Sequence, residues 1–172
     1  WLTARSTRKL NEENRIKDKK QEVIISLAQW RGYLSKLMPS IVYPEQYSKP
    51  LISPEKDTMT EGLDLCVFLL QEYKFIPDSL RIDFVVISDM LLSMASAHSP
   101  QAFQIYLERD KVAKASGASE YIKEFMSDFI VLQEAGDLDW DQWKRVKADM
   151  VFNAYVDIER RIYAHVIGYG NT

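Results

Sequence analysis

Residues 78–98 read DSLRIDFVVISDMLLSMASAH, and this stretch decides the fold. Its apolar residues recur at intervals of three and four, the spacing of one face of an α-helix. They are Leu80, Phe84, Ile87, Leu91 and Met94. Val85, Val86 and Leu92 lie off that face. A helix that is apolar on more than one side is a buried helix, so we expect this one to be the most buried.

The same periodicity predicts five further helices, and residues that cap helices mark where several begin. Thr58 with Glu61, Ser99 before Pro100, Ser119, and Asp139 with Gln142 are typical starts, and Asp78 caps the quoted helix. Pro39 ends the first helix because proline resists the helix interior. The predicted ranges outside 78–98 are 8–37, 58–74, 100–116, 120–135 and 140–167.

Composition supports an all-α fold for the whole chain. Its 172 residues include only six Gly and six Pro, which is few for a β-sandwich or barrel with many turns. Four of the prolines fall within residues 38–57, which predicts a long loop. This loop is either a crossover connection that packs along the helices or a lid or partner-binding loop. We therefore predict a six-helix bundle with a long N-terminal helix and a Pro-rich crossover loop.

Charge divides the chain into two parts. The net charge is −3, but residues 1–36 hold nine Lys/Arg against four Asp/Glu, whereas residues 37–172 hold thirteen against twenty-one. The apolar face of the first helix begins only near residue 21. We therefore predict a basic juxtamembrane or linker helix over 1–20 and a single helical domain over 21–172.

The first residues predict a membrane tether. Trp1 is followed by Arg5, Arg8 and Lys9, and an aromatic residue before basic ones is typical of a transmembrane helix at its cytoplasmic end. We expect a domain at the cytoplasmic face of a membrane, such as the bacterial inner membrane, that acts through protein contacts or self-association. An anionic membrane surface is a further expected partner. The alternatives are an ordinary cytoplasmic domain of a longer chain, or a basic helix that grips nucleic acid, which the acidic remainder disfavours.

A second function is suggested by the last helix. Arg160 and His165 form an Arg-x4-His pattern that resembles the motif of HEPN-type ribonucleases, although Arg161 stands where that family usually has a polar residue such as Asn. The resemblance implies a dimeric helical enzyme in which His moves a proton and Arg stabilises charge on the RNA phosphate. The alternative is a partly buried His165, with arginines paired to Asp157 or Glu159 on the surface.

No cofactor or metal site is expected. Cys66 is the single cysteine and lies on an apolar helix face, which favours a buried structural thiol. Asp137, Asp139 and Asp141 resemble the start of a calcium loop, but Gln142 and Ala148 occupy the positions where such a loop needs Gly and Glu. Acidic residues at a helix N-terminus are sufficient explanation for these aspartates.

Overall fold

The computed structural model describes residues 2–43, 53–97, 99–114, 117–134 and 139–168; side chains are described for 6–43, 62–97, 99–105, 107–108, 117–127 and 139–168. Six α-helices and no strand occur within these ranges, which confirms the predicted all-α bundle. They are α1 (Leu2–Val42), α2 (Ser53–Glu72), α3 (Asp78–Ser96), α4 (Pro100–Lys114), α5 (Glu120–Glu134) and α6 (Trp140–Gly168).

Helices α1, α2, α3 and α6 form the main body of the bundle. The most extensive helix contacts are those of α3 with α6, of α1 with α2, and of α1 with α6. The quoted stretch forms α3, whose predicted face is buried along its whole length. Val86 is also fully buried, which makes α3 apolar on more than one side, as expected. Phe84 of α3 meets Tyr155 of α6 at the centre, with ring centroids 5.8 Å apart.

Helix α1 changes character along its length. Every described side chain from residue 6 to residue 15 is exposed, and the first fully buried residue is Val23. From there the buried positions follow the predicted apolar face. They are Val23, Leu27, Trp30, Leu34, Leu37 and Ile41. We call residues 2–20 the arm; at 1.5 Å per residue it is about 28 Å long.

Three predicted helix boundaries are wrong. Helix α1 begins at Leu2, six residues before its predicted start at residue 8. Helix α1 does not end at Pro39 but continues through it to Val42, and the Tyr43 N–H donates to the Pro39 carbonyl at 2.9 Å. Proline lacks only its own N–H, so the following residues can still complete a last helical turn. Helix α2 begins at Ser53, so Thr58 lies inside the helix and does not cap it. Residues 44–52 of the predicted crossover loop lie outside the described residues.

The predicted starts of α4, α5 and α6 are confirmed by side-chain hydrogen bonds. The Ser99 hydroxyl accepts from the Ala102 N–H at 3.2 Å, and the Ser119 hydroxyl accepts from the Ile122 N–H at 3.4 Å. The Asp139 carboxylate accepts from the N–H groups of residues 141 and 142, both at 2.9 Å. Asp78, in contrast, is the first residue of α3 and makes an ion pair with Arg81; Pro77 occupies the cap position.

A buried carboxylate ties α5 to the main body. Asp83 of α3 is 1% exposed and accepts a 2.8 Å hydrogen bond from the Ser119 N–H, immediately before α5. Ile122 and Met126 of α5 are buried in the same core. Among the described residues, no helix combines the length and apolar character that a membrane span requires.

Candidate functional sites

The two residues of the ribonuclease-like pattern lie on different sides of α6. Arg160 is exposed and pairs with Asp157 at 3.5 Å, whereas His165 is half-buried in the last turns of the helix. Residues five apart in an α-helix are separated by about 140° around its axis. The guanidinium of Arg161, not Arg160, packs over a neighbouring helix, with its Cζ 4.9 Å from the centre of the Tyr121 ring. Within one chain, therefore, Arg160 and His165 do not converge on one surface.

The predicted membrane-proximal residues lie on the arm. Arg8 and Lys9 are exposed, and Lys9 makes only a long 3.9 Å contact with Glu13. Arg5 lies within the helical backbone of the arm, but its side chain is outside the described residues. An exposed pair of this kind contributes little to stability, so these positive charges are available to surroundings other than the bundle.

A groove lies where the arm meets the bundle. It encloses about 420 Å³, within the range of about 300–1,000 Å³ that is usual for ligand pockets. One wall is the arm, with Glu12, Arg15, Ile16 and Lys19. The other wall is the end of α2 and the turn to α3, with Glu72, Tyr73, Lys74 and Phe75. Sequence reasoning missed this groove, because its walls are 53 or more residues apart in the chain.

A charged residue is buried between α1 and α6. The Glu159 side chain is only 2% exposed; its carboxylate accepts from the Arg31 guanidinium at 3.0 Å and from the Tyr155 hydroxyl at 3.3 Å. Burial raises the pKa of the Glu159 carboxyl, and the nearby Arg31 charge opposes that shift. Of the two carboxylates expected to pair with a surface arginine, Asp157 does so with Arg160, whereas Glu159 is buried and pairs with Arg31. Its partner Arg31 comes from α1, so this pair ties α6 to α1.

The same region contains the single cysteine. Cys66 is 1% exposed, and burial raises the pKa of its thiol to about 11, although a hydrogen bond with Ser26 opposes the shift. A thiol of this pKa is protonated near neutral pH and is a poor nucleophile. The expected burial of Cys66 is therefore confirmed. The spacing of Cys66 in the apolar face of α2 was the signal that predicted it.

Catalytic or metal chemistry receives no support from the described side chains. No group of three or more His, Cys, Asp or Glu residues among them is placed to hold a metal ion. Asp139, one of the three aspartates weighed for calcium, caps α6. Asp137 lies outside the described residues. A scan against protein-family models and searches of curated proteins and of solved structures find no match to this chain.

Proposed function

We propose that this protein is a helical interaction domain that its arm holds at the cytoplasmic face of a membrane. The observation that supports this most is the arm itself. It is helical, yet its described side chains from residue 6 to residue 15 are exposed, so the core of the bundle does not require it. Its seven Lys/Arg against three Asp/Glu give residues 2–20 a net charge of +4. Basic residues of this kind favour the cytoplasmic surface of a membrane.

The proposed interaction with proteins rests on the groove at the base of the arm. Grooves that present apolar or aromatic side chains beside polar groups are one recurring kind of peptide site. Here Ile16, Tyr73 and Phe75 lie among five charged residues. The groove includes residues of both the arm and the bundle, so a bound partner would contact the part of the protein nearest to the membrane.

The anchoring part of the proposal is tested by releasing the bundle from the membrane. The natural gene product carries a protease site inserted after residue 10, and cells are fractionated before and after cleavage. We expect the uncleaved protein in the membrane pellet and the cleaved bundle in the supernatant with an unchanged helical circular dichroism spectrum. An uncleavable version of the inserted site is the matched control. Uncleaved protein in the supernatant would refute anchoring.

A further inference from the structure

The floor of the groove is apolar and partly shielded. Among the described side chains of the arm, which begin at residue 6, Ile16 is the first that is half-buried, and it lines the groove together with the turn between α2 and α3. In that turn, the rings of Tyr73 and Phe75 meet edge to face with centroids 5.4 Å apart. Phe75 is half-buried, so it presents part of its ring to an occupant. The floor therefore favours an aromatic or aliphatic side chain.

The rim of the groove carries three cations and two carboxylates. Arg15 pairs with Glu12 at 3.3 Å, and Lys19 pairs with Glu72 at 3.2 Å. Both are surface pairs, which contribute at most about 1 kcal/mol each, so these cations can exchange partners. Lys74 adds an exposed positive charge. The rim therefore carries one more positive than negative charge, and this excess favours an acidic occupant.

We propose that the groove is the docking site for a short acidic segment of a partner protein, in which an aromatic residue is adjacent to Asp or Glu. The aromatic ring packs on Ile16 and Phe75, and the neighbouring carboxylate meets Lys74 and Arg15. A peptide suits this groove because its backbone N–H groups can donate to Glu12 and Glu72 while an acidic side chain meets the cations of the rim. This inference rests on the interaction part of the proposed function and not on membrane anchoring.

The proposed docking also has a consequence for the arm. The two walls of the groove belong to the arm and to the turn between α2 and α3, so an occupant contacts both at once. A ligand that binds one arrangement of two elements better than others shifts the population toward that arrangement. Partner binding therefore restricts the position of the bundle relative to the arm.

The experiment selects peptides without assuming a partner. A phage library of random twelve-residue peptides is selected against the 172-residue protein, and enriched peptides are measured by fluorescence anisotropy. The binding variants are Lys74→Glu and Phe75→Ala. Lys36→Glu is the matched control. Residue 36 is an exposed lysine of α1, the helix that forms one wall of the groove, and it lies about 25 Å along α1 from residue 19. Circular dichroism checks that each variant folds. If Phe75→Ala fails to fold, Lys74→Glu still tests the proposal, because residue 74 is exposed.

We expect the enriched peptides to combine an aromatic residue with adjacent Asp or Glu. Their affinity should fall at least 10-fold for Lys74→Glu and remain within 2-fold for Lys36→Glu.

Three results would overturn the proposal: enriched peptides without this signature, peptides that bind Lys74→Glu as well as the wild type, or no enrichment at all. Anionic phosphatidylserine vesicles that displace the peptides equally from the wild type and from Arg8→Glu/Lys9→Glu would instead assign the groove to lipid. A wild-type dimer in sedimentation that Lys74→Glu converts to monomer, without peptide enrichment, would assign it to a second copy. None of these outcomes depends on whether the protein is membrane-anchored.

Discussion

At the scale of single residues, the ion pair between Arg31 and Glu159 is the least expected feature of the core. The two side chains differ in exposure: the carboxylate is 2% exposed and the guanidinium is 49% exposed. Removal of one partner of a buried pair is costly because the other charge stays buried without compensation. Here the half-exposed Arg31 can rehydrate but the buried Glu159 cannot. The pair is therefore asymmetric, and Arg31 is the partner whose loss has the larger consequence.

Arg31→Met should destabilise the protein more at high pH than at low pH. Arg31 lowers the pKa of the Glu159 carboxyl, which burial already raises above 4.5, so its loss raises that pKa further. A carboxyl with a raised folded-state pKa favours folding below its unfolded pKa, and that contribution is lost as the pH rises through the folded-state pKa. We expect the free energy of unfolding of Arg31→Met to be about 3 kcal/mol lower than that of the wild type at pH 8. At pH 5 the difference should be smaller, and urea unfolding measures both.

The control for this prediction replaces the carboxyl itself. Glu159→Gln keeps a side-chain carbonyl for the Tyr155 hydroxyl but cannot ionise. In the double variant Arg31→Met/Glu159→Gln, the additional pH dependence should disappear. If the single variant Arg31→Met loses the same stability at pH 5 and pH 8, Glu159 is not the group responsible.

A second prediction at this scale concerns the hydrogen bond between Trp30 and Ser88. The Trp30 indole N–H donates to the Ser88 hydroxyl at 3.1 Å, and both residues are fully buried. Ser88→Ala leaves the indole N–H buried without this acceptor, which should cost about 1–3 kcal/mol. Urea unfolding should show this loss, and in a Trp30→Phe background Ser88→Ala should cost much less. Ser96→Ala, at an exposed position of α3, should change stability by less than about 0.5 kcal/mol.

These residue-scale contacts mark the limit of what the sequence could predict. The apolar positions of α1 and α3 were predictable because burial follows helical spacing. In α6 the spacing predicted Val146 and Met150 to be buried, but both are exposed. The pairing of residue 31 with residue 159 depends on how two helices are rotated against each other, and helical spacing does not contain that rotation. The position of Glu159 next to the buried Ile158 and four residues after Tyr155 is the local signal that it borders the core.

At the scale of elements, the arm and the rest of α1 should differ sharply in their contribution to stability. Deletion of residues 1–15 removes described side chains that are exposed, so we expect the free energy of unfolding to change by less than about 1 kcal/mol. Deletion of residues 1–27 also removes the buried Val23 and Leu27, and this variant should lose several kcal/mol or fail to fold. Thermal unfolding followed by circular dichroism distinguishes the two. A large loss from the shorter deletion would show that the arm belongs to the core.

Pro39 within α1 offers a second prediction. Residue 39 cannot donate the hydrogen bond that the Ser35 carbonyl would receive in an uninterrupted helix. Pro39→Ala restores the N–H donor and introduces a better helix-forming residue. We expect it to raise the free energy of unfolding by about 1–2 kcal/mol, after allowance for the greater freedom of the unfolded chain. Pro77→Ala is the matched control. Pro77 has φ −56°, which suits proline, so this change should lower stability by about 0.4–1 kcal/mol.

Helix boundaries were predicted correctly where a side chain caps the helix, and wrongly where the helix continues past a local signal. Ser99, Ser119 and Asp139 cap their helices through side chains that reach N–H groups two or three residues ahead. Pro39 and Thr58 carry equally clear local signals, yet α1 and α2 extend beyond both. In α1, burial of Ile41 against the core favours a further helical turn past the proline. Tertiary packing therefore overrides local preference at that end.

At the scale of the whole molecule, the distribution of charge matters more than its sum. The arm has a net charge of +4, whereas residues 37–172 have a net charge of −8. A chain with a net charge of −3 should be repelled by an anionic membrane if its charge were evenly spread. Because the positive charge is concentrated at one end, that end should be attracted and the bundle repelled, which orients the molecule with its arm toward the surface.

This orientation predicts that the 172-residue protein binds anionic vesicles through its arm. Each basic residue near such a surface contributes about 1 kcal/mol, so Arg8→Glu/Lys9→Glu, which brings the arm to zero net charge, should weaken binding on the order of 100-fold. Flotation with phosphatidylcholine/phosphatidylserine vesicles at low salt measures this, and 1 M salt, with a Debye length of about 3 Å, should release the protein. The control Lys36→Glu/Arg160→Glu makes the same change in net charge at exposed positions of the bundle, so it should bind like the wild type. If both double variants lost binding equally, the total charge and not the arm would determine membrane contact.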